Sequence, residues 1–522
     1  MSLLKRADER LVRTVAQLIY TNPFLQERIE LERTALGADF AWEPHPYWSF
    51  TLGDSHGRQS NLRRLVERAE PVAQALRTKL LSGAAADDDE LQIYDDLAVY
   101  LLYYELLLDW GNKIESADPR STSEASVWKR YATKFEYWLS IPSRRLPSQP
   151  QKLHLFALFH QVHRAFNNIF TCVIGESLPA ANLRARIWQS IFTHDMRRYR
   201  RSLYGNLQQV TTLVTGPSGS GKELVARAIG LSRYIPFDVK ASRFTVEPSQ
   251  SYAAINISAF AANLVESELF GHAKGAFTDA THARAGWLEN CCEHGSILLD
   301  EIGELEPTTQ VKLLRLLQNR TYQRLGETKI REFQGKIIAA TNRNLRIEIE
   351  QGRFREDFYY RLCADVISTP SLADQLQDNP EVLSNLVSFI VKRMAPEEHA
   401  SLTSEVMTWL NEHLPEKYGW PGNIRELEQC VRNIMIHAHY VPASTASAVS
   451  VGSQTLASAG SVPTTGMATA LAADIQGLRL TADELLCRYC QLAYKQTNSF
   501  EKSAKLLQLD RRTVRAKVDS KG

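Results

Sequence analysis

Apolar residues recur at three- and four-residue steps through the first part of the chain, to roughly residue 170, as in LRRLVERAEPVAQALRTKLL and LHLFALFHQVHRAFNNIF. That period lays the apolar side chains on one face of successive helices. The most apolar window, LAVYLLYYELLL, is too short to cross a bilayer and contains Glu105, so it predicts a buried helix. From about Cys172 to Tyr440 the texture changes. Short β-branched or aliphatic runs (TTLVTG, YAAINIS, SILLDE, GKIIAATN) alternate with helical patterns. Such alternation predicts a parallel sheet flanked by helices, an α/β core. The pattern from Lys392 to His439 is helical again, broken by one sharp turn, WPGN. Residues 442–470, rich in Ala, Ser, Thr and Gly without charge or large aromatics, have the composition of a flexible linker. The last forty or so residues regain a helical period and become basic. The expected organisation is a helical N-terminal domain (1–170), an α/β core with a helical lid from about 375 (171–440), a linker (441–478) and a small helical C-terminal domain (479–522).

Composition narrows the classes. The 522 residues are 44% hydrophobic, enough for several packed cores, and the net charge is only +2. Any nucleic-acid surface must therefore be local. Seven scattered cysteines argue against a disulfide framework and fit a reducing, cytoplasmic setting. Cys487 and Cys490 form a C-x-x-C without a second ligand pair, which reads as one face of a helix. The N-terminal MSLLKRADERLVRTVAQL is amphipathic and charged, unlike a secretory signal, so no membrane partner is expected. His154, His160 and His163 could gather round a metal, but their spacing also fits ordinary surface histidines on a helix. The aromatic residues of this region, among them Tyr94, Tyr100, Tyr103, Tyr104, Trp110, Trp128, Tyr137 and Trp138, suit a ligand pocket and suit a core equally well.

The chemistry concentrates in VTGPSGSGKE. The loop Gly216, Pro217, Ser218, Gly219, Ser220, Gly221, Lys222 has G-x-x-x-x-G-K spacing between an apolar strand and a helical pattern. Glycines there let backbone N–H groups turn toward phosphate oxygens, and the helix N-terminus adds partial positive charge. Lys222 supplies a mobile charge for the β- and γ-phosphates of ATP. Glu223 stands where a generic P-loop has a magnesium-binding Ser or Thr. The strand GSILLDE ends in Asp300, placed to hold Mg2+, and Glu301, placed to activate water. A third strand ends in Thr341 and Asn342, within reach of a γ-phosphate. Arg355 and Arg361, in FREDFYYRL, read either as cations paired with Glu356 or Asp357 or as arginine fingers donated across a subunit interface.

In order along the chain, IGES, TGPSGSGKELVARAIG, ESELFGHAKGAFTDA, GWLENCCEHGSILLDEIGEL, QVKLLRLLQNRTYQRLGE, IIAATNRNL, FREDFYYRL and WPGNIRELEQCVRN resemble the AAA+ domain of bacterial enhancer-binding proteins, the activators of sigma-54 RNA polymerase. The resemblance covers about half the chain. It implies phosphate binding at Lys222, magnesium at Asp300 and water activation at Glu301. It also implies that Asn256 holds that glutamate, that Thr341 and Asn342 form sensor I, and that Arg425 forms sensor II in the lid. Arg355 and Arg361 would be fingers acting in trans in a homo-oligomeric ring, usually a hexamer. A glutamate after the P-loop lysine belongs to that family, so Glu223 conforms. The segment Gly275, Ala276, Phe277, Thr278, Asp279, Ala280 resembles the GAFTGA loop, the surface that touches sigma-54. Asp279 departs from the pattern, where the family has glycine. Aspartate restricts φ more than glycine and puts a negative charge at the tip.

The C-terminal LTADELLCRYCQLAYKQTNSFEKSAKLLQLDRRTVRAKV reads as three helices, the second capped by Ser499. Ala504, Leu507 and Val514 are spaced to pack the last two against each other, as in a helix-turn-helix. Arg511, Arg512, Thr513, Arg515 and Lys517 make the last helix a candidate for the DNA major groove. The segment resembles the Fis-type DNA-binding domain of the same family, which pairs as a dimer. Two functions follow. In one, the protein binds enhancer DNA and uses ATP in a ring to open sigma-54 holoenzyme promoter complexes, gated by a small-molecule or protein signal at the N-terminal domain. In the other it is a DNA-binding repressor or architectural regulator, whose loop no longer touches polymerase because of Asp279.

Overall fold

The computed structural model describes the chain except residues 1–2, 5, 43–58, 116–122, 143, 278–279, 416, 443–480, 498 and 520–522. Most of the expected linker and the loop positions Thr278 and Asp279 thus lie outside the described residues. The chain divides into two compact units, Met1–Ser444 and Thr445–Gly522.

The first unit begins with α1 (Arg6–Leu18), α2 (Gln26–Leu36), α3 (Gln59–Leu81), α4 (Asp88–Glu115), α5 (Glu124–Leu139), α6 (Lys152–Cys172) and α7 (Leu178–Phe192). The apolar window falls in α4. Its residues 97–102 are buried because α1, α3, α5 and α6 all pack against this helix. Ser123 and Ser177 start α5 and α7 by accepting from the N–H of Ser126 and Ala180, satisfying donors the helix leaves open.

A five-stranded sheet follows. Its strands are β1 (Thr212–Thr215), β2 (Tyr252–Asn256), β3 (Ser296–Asp300), β4 (Lys336–Thr341) and β5 (Asp365–Ser368), and the helix after β1 is α8 (Lys222–Gly230). The order is β5-β1-β4-β3-β2, every pairing parallel. Side chains alternate between faces. Val214, Leu298 and Ile338 join the core that also holds α8 and the N-terminal helices, whereas Leu213, Ile297 and Ile337 enter a second core. The apolar core therefore runs across residue 170 without a break, with α6 laid along α8.

The histidines of α6 are half-buried at this seam rather than spread on the surface. His154 bonds Tyr234 Oη at 3.0 Å and Arg200 O at 2.8 Å, and His160 stacks on Phe244 at 3.8 Å.

Four helices, Leu372–Asp378, Val382–Met394, His399–His413 and Asn423–His437, close a third core around Val387, Leu410, Trp420 and Leu427. Among the described residues no helix is long and apolar enough to cross a membrane. In the second unit the helices Ala482–Thr497, Phe500–Leu507 and Arg511–Asp519 pack around Cys490, Ala504 and Val514. Ser499 caps the middle helix through Lys502 N, and Cys487 stands half-buried one turn from Cys490.

Candidate functional site

Parallel strands present their carboxyl ends together, and in open α/β sheets ligands bind there. Thr215 is in register with Thr341 and Ser368, and Asn256 with Asp300, so the candidate polar residues line one edge. The loop of residues 216–221 crosses this edge with Gly216, Gly219 and Gly221 all at positive φ. A Cβ on Gly216 would strike Thr369, and one on Gly219 would strike Gly422 O of the lid turn. These glycines thus serve close approach as well as conformation. Ser220 Oγ meets Thr369 Oγ1 at 2.6 Å and donates to Pro217 O at 2.8 Å, bracing the loop from inside.

Lys222 starts α8 and is buried. Its Nζ donates to Gly216 O at 3.1 Å and Pro217 O at 3.0 Å. Burial holds its pKa below the ordinary lysine range, while Glu301 and Asp300 pull it upward and Arg425 adds to the depression. The lysine thus senses both strand-end carboxylates and the lid arginine. Asp300 Oδ1 accepts from Glu301 N at 3.0 Å. Glu301 has left-handed backbone, φ 55° and ψ 47°. For a residue with a Cβ this costs ~1–2 kcal/mol and is typical of functional positions.

One expected contact differs. Asn256 does not hold Glu301. Its Oδ1 accepts from Ser258 N at 3.0 Å and Ser258 Oγ at 2.6 Å, because the chain turns into a 3-10 helix directly after β2. Thr341 is buried and its Oγ1 accepts from Arg343 N at 3.0 Å, whereas Asn342 is exposed.

Gly271–His272 pairs with Arg284–Ala285 in a short hairpin, with Ala273 to Phe277 following directly after its first strand. A Cβ on Gly286 would collide with Gly271 N, so this base is tightly pinned. Gly275 N donates to Ala280 O at 2.8 Å and Ala280 is buried, closing the loop. Phe277 stands 41% exposed, its ring edge-on to His272 at 5.0 Å. A Cβ on Gly326 of a neighbouring loop would come within 2.8 Å of Ala276 Cβ.

The comparisons agree with this geometry. Residues 193–368 match the sigma-54 interaction domain and residues 377–450 match the AAA+ ATPase lid domain. Together the two matched segments make an AAA+ ATPase domain. Relatives include the Nif-specific regulatory protein of Azotobacter vinelandii, 40% identical over 43% of this chain and 40% of that protein. The hydrogenase transcriptional regulatory protein HoxA of Bradyrhizobium diazoefficiens is 40% identical over 44% of this chain and 43% of its own. The DNA-binding transcriptional regulator NtrC of Azospirillum brasilense is 40% identical over 43% of both chains. The chain thus spans about two fifths of the length of the curated relatives it matches. Among solved structures, NtrX from Brucella abortus in complex with ATP is 23% identical over 75% of each chain, with a TM-score of 0.40.

The two arginines of the matched segment are placed differently. Arg355 is bound in place by Asp357, at 3.0 and 2.8 Å, and so is a paired cation in the single chain. Arg361 is exposed, and its side chain makes no ion pair or hydrogen bond with any described residue. Arg425 is exposed, with its Cβ against Gly219. Two residues of this site escaped the sequence reading. Asn423 fastens the lid to the P-loop, and Thr369 packs beneath Gly216. The WPGN turn was the available signal for Asn423. For Thr369 there was none, since only the sheet brings β5 beside β1.

In the second unit Arg511, Arg512, Thr513 and Arg515 lie exposed on the last helix, and Lys517 is half-buried. Arg515 reaches Asp519 at 3.7 Å and lies over the Phe500 ring at 5.8 Å.

Proposed function

We propose that the protein is an ATP-dependent transcriptional activator that remodels sigma-54 RNA polymerase. The observation that carries this reading is the exposed Phe277 loop, closed at a rigid base and seated on a P-loop core. The glycine cradle of residues 216–221 and the buried Lys222 fit the phosphates of ATP. Asp300 would hold Mg2+ and Glu301 would orient the attacking water, with Glu223 at the start of α8. Mg2+ would neutralise charge on the β- and γ-phosphates. Arg425 would follow the phosphates from the lid, and Thr341 and Asn342 from the sheet edge. Asn256 accepts from Ser258 through Oδ1, so its Nδ2 would be the group that donates to Glu301. Arg361, free in the single chain, suits donation to a neighbouring subunit, and Arg355 would first have to leave Asp357. A ring of subunits, up to a hexamer, would complete each site. Arg511, Arg512, Thr513, Arg515 and Lys517 would bind enhancer DNA as part of a helix-turn-helix dimer.

Asp279 favours a second reading, in which the motor is intact but the loop no longer engages polymerase and the protein represses. The test is open-complex formation by sigma-54 holoenzyme on supercoiled promoter DNA with ATP. The full chain is required, because the helices before residue 170 share the core of the sheet. Melting by the native chain is expected. Melting only by Asp279→Gly would establish the repressor reading, and ATP hydrolysis without melting by either would remove sigma-54 as the partner.

A further inference from the structure

Gln310, in the helix Pro307–Asn319, is a polar residue with 0% exposure. A buried amide left unpaired destabilises the fold, so its partners show what it joins. Its Nε2 donates to Leu305 O at 2.8 Å and to Arg353 O at 2.9 Å. Its Oε1 accepts from Arg355 N at 2.8 Å. Leu305 closes the turn that begins at Glu301. Arg353 and Arg355 flank Phe354 at the start of the helix Glu356–Leu362, which carries Arg361. One side chain therefore joins the strand-end turn to the start of the arginine-bearing helix.

The two ends are not held alike. The turn has bonds of its own. Glu304 N donates to Glu301 O at 2.9 Å, and the Glu304 carboxylate pairs with Arg343 at 2.5 Å. Before Phe354, the Glu348 carboxylate takes the Arg353 side chain at 2.7 and 3.0 Å, and Glu348 O accepts from Phe354 N at 3.2 Å. The start of the helix has no side-chain cap from its own sequence, and the N–H of its flanking residue Arg355 goes to Gln310. Helix starts leave donors that must find partners elsewhere. Phe354, Phe358 and Leu362 enter the second core, which sets how deep the helix lies. The directional bonds to Gln310 set where it begins. Arg361 stands six residues beyond Arg355, ~9 Å along a helix, so a shift at the start is carried to it.

We propose that Gln310 is a positioning residue for Arg361, setting where this arginine enters the nucleotide site of the neighbouring subunit. Being fully buried, Gln310 reaches no nucleotide itself and acts through the backbone of residues 353–355. That role rests on the reading of Arg361 as a finger acting in trans.

The test compares Gln310→Met, which keeps the length of the side chain and removes its hydrogen bonds, with Arg361→Ala, both in the full chain. At saturating ATP the turnover of Gln310→Met should fall about 100-fold, the cost of misplacing a catalytic group by ~1 Å, while the Kd for a fluorescent ATP analogue stays within about twofold. Mixed with Glu301→Gln subunits it should recover, because those subunits lend a correctly seated arginine to its intact site. Mixed with Arg361→Ala subunits it should stay low, since neither then supplies a finger. A glutamine that only holds the fold together would lower the melting temperature and leave the turnover of the folded protein unchanged.

If Gln310→Met does not fold by circular dichroism, Gln310→Glu takes its place in the same mixtures. It keeps the size and the acceptor for Arg355 N but offers Leu305 O and Arg353 O no donor. Unchanged turnover, nucleotide binding weakened by more than about tenfold, or recovery beside Arg361→Ala would overturn the role of Gln310. So would absence of recovery beside Glu301→Gln, which would put the effect at the Glu301 turn of the same chain. Turnover lost in Arg361→Ala but not in the Gln310 variant would sink the positioning role alone. Turnover unchanged in Arg361→Ala would sink the finger reading, and the role of Gln310 with it.

Discussion

Asn423 and Ser218, 205 residues apart in the chain, are joined by a hydrogen bond from Asn423 Nδ2 to Ser218 O at 2.9 Å. The same amide accepts from Leu372 N at 2.8 Å through Oδ1, so one side chain ties the P-loop, the lid turn and the first lid helix. Asn423 sits at φ 55°, a conformation asparagine tolerates better than most residues.

Asn423→Ala should lower nucleotide affinity ~5–10-fold, the net value of about one hydrogen bond plus the orphaned Leu372 N–H. Gly219→Ala should cost more, roughly 1–3 kcal/mol, because its Cβ meets Gly422 O and forces lid and loop apart. Titration with a fluorescent nucleotide and thermal melting measure both. Equal affinity in Asn423→Ala would show that the lid is held by other contacts.

Arg361→Ala should reduce ATP turnover by a factor of about 10³ while nucleotide affinity stays within about twofold, as for a finger that acts on the transition state. Mixed with Glu301→Gln subunits it should regain activity, since each variant supplies what the other lacks. Absence of recovery in the mixture would place Arg361 outside a shared site. Arg355→Ala breaks an exposed pair with Asp357 and should leave the melting temperature unchanged.

Burial, offset in part by the bond to Arg200 O, lowers the pKa of His154 from 6.5 to about 4. Folding stability tied to the neutral ring is therefore fully present above 6.5 and is lost as the pH falls toward about 4, because the unfolded chain takes the proton first. Arg200, Tyr234 and Tyr204 face the ring, and none supplies an anion to reverse the sign. His163, also lowered to about 4 by burial and Arg164, acts in the same direction. Urea midpoints at about pH 7.5 and about pH 5 should differ more for the native chain than for His154→Gln. An identical difference in both would mean the ring is protonated in the fold.

On the last helix, Arg512→Ala should reduce the slope of log K against log salt for DNA binding by about 1, with little change in sequence preference. Arg515→Ala should in addition lower the melting point of the C-terminal unit, since Arg515 also covers Phe500. A slope unchanged by Arg512→Ala would argue against this face as the phosphate contact.

Local chemistry was legible. Strand, glycine loop and helix at residues 212–230 follow from neighbours in the chain, as do Asp300 and Glu301 at a strand end and the helical period of α4 and α6. Contacts across the chain were not. The histidines of α6 read as surface residues because a helical period cannot tell water from a second helix. The rotamer that turns Asn256 to Ser258 depends on the 3-10 turn after β2, which no spacing announces.

The sequence by itself determined which segments become strands and helices, where the glycine loop lies and which loop carries Phe277, because these depend on periodicity and on residues a few places apart. The tertiary structure alone decided that Asn423 closes on Ser218, that α6 binds the far end of α8, that Arg355 is paired while Arg361 is free, and that the N-terminal helices share a core with the sheet. An apolar stripe states that a face will be covered. Which partner covers it, and what space remains, is settled only when distant segments pack together.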